Sequence, residues 1–248
     1  MNNKFMRKNK TEYFIEKKVG MAINRFNMIE SNDKVLVCVS GGKDSLALFK
    51  ILNDRKKRLP IDYEIRAINI TTDYEKDILE KKAKLKNFFD LIGCTCIFKD
   101  IEIKQKNKLN KEDCFFCSWN RRKEIFETAE KMGFNKIAFG HHKDDVIETI
   151  LMNLFFNGEI SSINPVQKLF KGKITIIRPL ILLEEKEIFE YIKKTAINTV
   201  KSVCPRNYDS KRFIVKDIIQ KLSKLNPYIK SNILKAPTRI KKDYITEI

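Results

Sequence analysis

The sequence predicts an α/β protein: a doubly wound, mainly parallel five-stranded sheet with helical extensions at its N- and C-terminal ends. Three observations carry this. Short apolar runs rich in β-branched residues alternate with amphipathic stretches at the spacing of strand–helix–strand units. Val35–Val39 passes directly through a glycine pair into a helical pattern. Two strand-to-helix turns, Ser40–Ser45 and Gly140–Asp145, gather charged and hydroxyl side chains where open sheets bind their ligands.

The elements follow in order. Thr11–Ile29 places Ile15, Val19, Ala22, Ile23 and Phe26 on one stripe, predicting a helix that packs on the sheet. Val35–Val39 is a continuous apolar run, as suits a strand buried on both faces. Its following helix carries Leu48, Ile51 and Leu52 inward, and Asp54–Pro60 is a polar loop. Glu64–Ile70 is the second strand, with Thr71 at its carboxyl end. Glu75–Ile92 is a long helix stopped by Gly93, and Cys94–Phe98 is the third strand. Lys99–Asp113 has no clear period. A helix then runs through Ile125, Phe126 and Ala129 to Gly133. Lys136–Phe139 and Ile174–Ile177 are the fourth and fifth strands, separated by a helix from Val146 to Phe155 and a loop, Ser161–Gly172, that contains Pro165. Helices over Glu184–Lys194 and Ser210–Leu225, and a short one after Pro227, complete the chain. The expected organisation is a single domain over 1–248, with helical extensions at 1–31 and 206–248.

Composition narrows the function. Lys and Arg number 50 against 32 Asp and Glu, a net charge of +18 that invites a polyanionic partner. A Lys- and Ile-rich composition spread over solvated helix faces is the plainer account of the same number. No apolar run is long enough to span a bilayer, and MNNKFMRKNK has no signal-peptide core behind it. The expected location is therefore cytoplasmic, with no membrane partner. There the six cysteines serve as thiols or metal ligands rather than disulfides.

Ser40-Gly41-Gly42-Lys43-Asp44-Ser45 joins the first strand to a helix, which aims free backbone N–H groups and a positive dipole end at an anion. Gly41 and Gly42 let the backbone approach phosphate oxygens. Lys43 adds a charge, Ser40 and Ser45 add hydroxyls, and Asp44 beside a phosphate makes sense as a Mg²⁺ ligand. The longer Gly-Lys-Ser/Thr loop of kinases and GTPases is absent. SGGKDS resembles the PP-loop of the ATP pyrophosphatases, whose Rossmann-like fold cleaves ATP between its α and β phosphates and adenylates a substrate. That resemblance implies ATP and Mg²⁺, with Thr71 and Gly140 at neighbouring strand ends beside the nucleotide.

Three further constellations carry chemistry. Both histidines of the chain fall in Gly140-His141-His142-Lys143-Asp144-Asp145, at a strand's carboxyl end. His141 or Asp145 is suited to ordering nucleotide or metal, and Lys143 to phosphate charge. Cys114-x-x-Cys117 fits zinc, an iron–sulfur cluster or a dithiol pair, and Cys204 offers a third thiolate. Trp119, Arg121 and Arg122, with Arg206 after Cys204, suit base stacking and phosphate contacts, although Trp119 serves equally well as core.

Taken together, Ser40–Ser45, Cys114-x-x-Cys117 followed by Arg121-Arg122, Gly140-His141-His142-x-Asp144-Asp145-x-x-Glu148-Thr149, Arg178-Pro179-Leu180 and the late Cys204 closely resemble the tRNA 2-thiocytidine synthetase family. The resemblance implies an ATP-dependent tRNA thiolase carrying a 4Fe-4S cluster on Cys114, Cys117 and Cys204. It also implies a sulfur donor such as a cysteine desulfurase, and it allows a homodimer. Typical members keep two cysteines near the last ligand, whereas this chain has Ser202-Val203-Cys204-Pro205. Two other readings compete: a tRNA lysidine synthetase-like ligase, which would leave the cysteines idle, and a non-catalytic metal-bearing RNA-binding regulator, which would leave SGGKDS idle.

Overall fold

The structure is a computed structural model and describes residues 9–103, 113–200 and 211–244, without the side chains of 113–115 and 242. The chain divides into two compact units, Met1–His142 with Pro165–Cys204, and Lys143–Asn164 with Pro205–Ile248.

The first unit is built on one sheet. Its strands are β1 (Lys34–Cys38), β2 (Glu64–Thr72), β3 (Cys96–Ile101), β4 (Lys136–Ala138), β5 (Val166–Leu169) and β6 (Ile174–Ile177). They lie in the order β3-β2-β1-β4-β6-β5. The five expected strands are all present and all parallel to their neighbours. The count of five is corrected to six, because β5 adds an antiparallel edge within the stretch read as a loop. Val-Gln-Lys-Leu buries nothing completely and follows a proline, so its local signal is that of a loop; pairing with β6 makes it a strand.

Leu36, Ile68, Ile70, Ile137 and Ile174 pack with Ile125, Ala129 and Phe134, so that α4 (Asp113–Lys131) covers one face. By strand alternation Val35 and Val37 point to the opposite face. Helix α2 (Lys43–Lys56) packs on β1 and β2, and Phe49 meets Phe89 of α3 (Ile78–Leu91) edge-to-face at 4.9 Å. Helix α1 (Lys10–Arg25) buries the expected Ile15, Val19, Ala22 and Ile23. However, it packs chiefly on α6 (Glu185–Thr195) and α2 rather than on the sheet, which corrects the expected partner. The sheet face is already occupied by α2, so α1 forms a further layer. It also stops short of Ile29, since Asn27 takes a left-handed φ of 47°.

The second unit is helical. Ile147, Ile150 and Leu151 of α5 (Lys143–Asn157) form a core with Val215 and Ile219 of α7 (Lys211–Leu225) and Ile233 of α8 (Ile229–Lys235).

Candidate active site

The strand order reverses between β1 and β4, since β2 and β3 lie on one side of β1 while β4, β6 and β5 lie on the other. Val35 pairs with Lys136 and Val37 with Ala138, so both strands end at one level. The segments leaving them, Val39–Asp44 and Phe139–His142, therefore flank the crevice where open α/β sheets take ligands.

The SGGKDS loop braces itself. Ser45 Oγ donates to the Gly42 carbonyl at 3.0 Å and accepts from Ser40 N–H at 3.2 Å. Gly42 N–H meets Ser40 Oγ at 3.3 Å, and Val200 N–H meets the Gly41 carbonyl at 2.9 Å. Gly41 has a φ of 95°, which favours glycine. Gly140 serves by proximity: a Cβ there would stand 3.2 Å from the Asp44 carbonyl carbon and the Ser45 nitrogen. A side chain there would require the backbone of Asp44 and Ser45 to give by a few tenths of an ångström, so glycine suits the close approach of the β4 turn to the start of α2.

Lys43 Nζ lies 3.1 Å from Asp44 Oδ2 and 3.0 Å from Glu185 Oε1. Burial pulls the Lys43 amine down, but the two carboxylates outweigh it and hold its pKa above the usual lysine value. Asp44 Oδ1 is buried with no hydrogen-bond donor among the described residues, and His142 Nε2 is 3.9 Å away. A buried carboxylate oxygen left without a donor at a phosphate-type loop fits a magnesium ion. A cavity of about 790 Å³ opens beside Lys43, walled by Phe14, Ile15, Glu185 and Phe189.

Arg178, at the end of β6, is a site residue that spacing alone does not pick out. It is buried, and its Nε–H donates to His141 Nδ1 at 3.3 Å. That bond leaves Nδ1 as acceptor and puts the proton of a neutral imidazole on Nε2. Burial, reinforced by the nearby positive charge of Arg122, pulls Arg178 down to about 10. The Phe139 ring lies 5.7 Å from that of His141.

Other expected site residues have contacts of their own. Thr71 is fully buried, and its hydroxyl bonds Asp100 and the Lys99 carbonyl, facing β3. The neighbouring Thr72 Oγ1 is buried without a partner among the described residues. In the helical unit, Asp145 stands 3.6 Å from Arg212, Glu148 stands 3.4 Å from the same guanidinium, and Asp144 pairs with Lys230. Lys143 begins α5.

Cys114 and Cys117 lie on the first turns of α4, three residues apart and therefore on one helical face. Cys117 is half-buried and forms no disulfide among the described residues. Two thiolates at that spacing fit an iron–sulfur cluster or zinc. Among the described residues no group of three His, Cys, Asp or Glu is arranged around a metal position. Cys204 and Arg206 lie outside the described residues. Trp119 is 52% exposed, with Lys123 Nζ 5.7 Å from its ring centre, and so belongs to the surface rather than the core. Arg121, by contrast, is held by buried Glu75.

Residues 12–222 match the family model described as a PP-loop domain. The tRNA-cytidine(32) 2-sulfurtransferase of Geotalea uraniireducens is 34% identical over 238 residues, covering 94% of each chain. Its namesake in Aeromonas hydrophila is 34% identical, covering 88% of this chain and 73% of its own. Among solved structures, the U34-tRNA thiolase NcsA of Methanococcus maripaludis, determined with its 4Fe-4S cluster, superposes with a TM-score of 0.74 at 24% identity. That match covers 95% of this chain and 80% of the thiolase, and it shows a common fold.

Proposed function

The chain belongs to the tRNA-cytidine 2-sulfurtransferase family of PP-loop proteins, and from that premise we propose that it replaces the C2 oxygen of a tRNA cytidine with sulfur at the expense of ATP. By the names of its relatives the target is cytidine 32. The observation that carries the reading is the self-braced SGGKDS loop at the β1/β4 crevice, with Asp44 Oδ1 buried and without a hydrogen-bond donor among the described residues.

A ring carbonyl oxygen is a poor leaving group. In the first step the cytosine O2 attacks the α-phosphorus of ATP, and pyrophosphate leaves. The Lys43 ammonium and the N–H groups at the start of α2 take the charge of the departing phosphates, and Asp44 would hold a Mg²⁺ ion that neutralises part of it. Preorganised charge of this kind supplies the larger part of such catalysis. In the second step sulfur attacks C2, and AMP leaves with the former carbonyl oxygen. His141, its Nδ1 engaged by Arg178, keeps Nε2 as the N–H donor of its neutral imidazole. A 4Fe-4S cluster on Cys114, Cys117 and Cys204 would supply an iron at which the incoming sulfur atom is held.

A separate sulfur donor such as a cysteine desulfurase completes the reading, and a tRNA substrate suits work in the cytoplasm. Among the described residues no helix is long and apolar enough to cross a membrane. The test is to incubate the anaerobically purified protein with ATP, sulfide and unmodified tRNA. AMP and pyrophosphate should form in step with 2-thiocytidine in the digested nucleosides. AMP without a thionucleoside, or a lysine-containing nucleoside instead, would sink the proposal.

A further inference from the structure

The turn after β2, residues Thr72–Asp77, reaches the chain at two distant places. The Asp73 carboxylate accepts from Ile103 N–H at 3.1 Å, at the exit from β3. Glu75 grips α4 through Arg121. Its side chain is only 6% exposed, and both oxygens are used: Oε2 takes Lys81 Nζ at 2.5 Å, and Oε1 takes Arg121 together with the Thr72 N–H at 3.3 Å. Lys81 is 7% exposed on its side chain.

Arg121 is one helical turn beyond Cys117 and two beyond Cys114, on the same face. The apolar anchors of α4, Ile125 and Ala129, sit in its second half. In its first half Phe116 and Trp119 are exposed at 46% and 52%. Among the described side chains the apolar anchors of α4 therefore lie beyond its cysteine-bearing end, and an ion pair between a buried carboxylate and a one-third exposed guanidinium reaches that end from 46 residues away. Removing the Glu75 carboxylate strands the buried Lys81 ammonium and releases Arg121 together, so the geometry is enforced through Glu75.

We infer that Glu75 is a positioning residue for the cysteine-bearing start of α4, acting through Arg121, and that Arg121 belongs to this brace rather than to the RNA-contacting surface. The consequence for cluster retention rests on the cysteine assignment proposed above; the bracing of α4 does not.

The experiment compares wild type with Glu75→Gln, Arg121→Met and the double variant. Hydrogen exchange on the metal-free proteins reads the brace directly. Amides of Phe116–Arg121 should exchange at least tenfold faster in Glu75→Gln, with α2 unchanged and ATP affinity within twofold of wild type. The double variant should match Glu75→Gln rather than exceed it, since Lys81 has lost its carboxylate in both and Arg121 has already lost its partner in the single. Iron bound per chain after reconstitution should fall at least fivefold in the singles. Unchanged exchange in α4, or loosening that extends equally to α2, would overturn the inference. Should wild type hold no iron, the cysteine assignment fails while the exchange data still decide the brace.

Discussion

The two ends of the chemistry in the sheet-based unit are built on opposite plans. The nucleotide loop is held mainly by its own atoms: Ser40, Gly42 and Ser45 bond one another within six residues, with Val200 N–H on the Gly41 carbonyl and Glu185 on Lys43 added from outside, and α2 follows with its core face fully buried. The start of α4 is held from afar by Glu75, a residue in a different loop. A loop that braces itself is rigid before anything binds, which suits phosphate stabilisation. A helix end fixed by a remote ion pair keeps its position only while that pair survives. The lesson is that the phosphate chemistry tolerates change outside its motif better than the sulfur chemistry does.

That contrast can be broken by substitution, and the largest effect belongs to Asp44. Asp44→Asn keeps the shape but weakens the metal ligand, and AMP formation should drop by at least about a hundredfold. Retention of full turnover would remove Asp44 from the site. Next is Cys117→Ser, for which bound iron and thionucleoside should fall to background while ATP affinity stays within about twofold, since thiolate ligation is all that changes. If ATP binding were lost as well, the two regions would not be separable.

Gly140→Ala comes third. The added methyl presses on the backbone of Asp44 and Ser45, so unfolding in urea should show a loss of about 1–3 kcal/mol, typical of overpacking. ATP binding should weaken with it; a neutral result would mean the turn moves aside.

The smallest effect concerns Lys43. Its pKa is raised in the folded protein, so the stability it contributes is complete below its unfolded value of about 10.4 and fades as the pH rises through the folded one. Arg178, lowered to about 10, has the opposite sign: folding disfavours its charged form, and that penalty is relieved as the pH climbs past about 10. Glu185→Gln should therefore lower the melting temperature at neutral pH and converge on the parent above about pH 10.4, where the lysine charge is disappearing. A gap that stays constant into that range would assign the effect to something other than the Lys43 pair.

The same contrast governs what could be read from sequence. Val35–Ser45 and Gly140–His142 announce themselves because a β-branched run, a glycine turn and a helix start are local signals. Glu75, Arg178 and Glu185 carry no such signal, since each acquires its role from a partner brought near by the sheet order. Thr71 was expected beside the nucleotide from its strand-end position, whereas the register sets it opposite Asp100 and turns its hydroxyl to β3. Arg121 and Trp119 sit in one basic-aromatic stretch, yet the fold commits the first to a buried carboxylate and leaves the second on the surface. β5 escaped notice because Pro165 and two polar residues look like a loop until β6 supplies hydrogen bonds.

The strand order also decides how the sheet meets other chains. Its two outer strands are β3 and β5. An open edge with unpaired amide groups invites a stranger's strand to extend the ladder. Here one edge carries Lys99 and Asp100, and the other is only four residues long, opens after Pro165 and carries Lys168. Charge, brevity and proline are the devices that discourage edge-to-edge aggregation. A protein that must keep an open crevice at the middle of its sheet is thus protected at both margins from growing into a fibre.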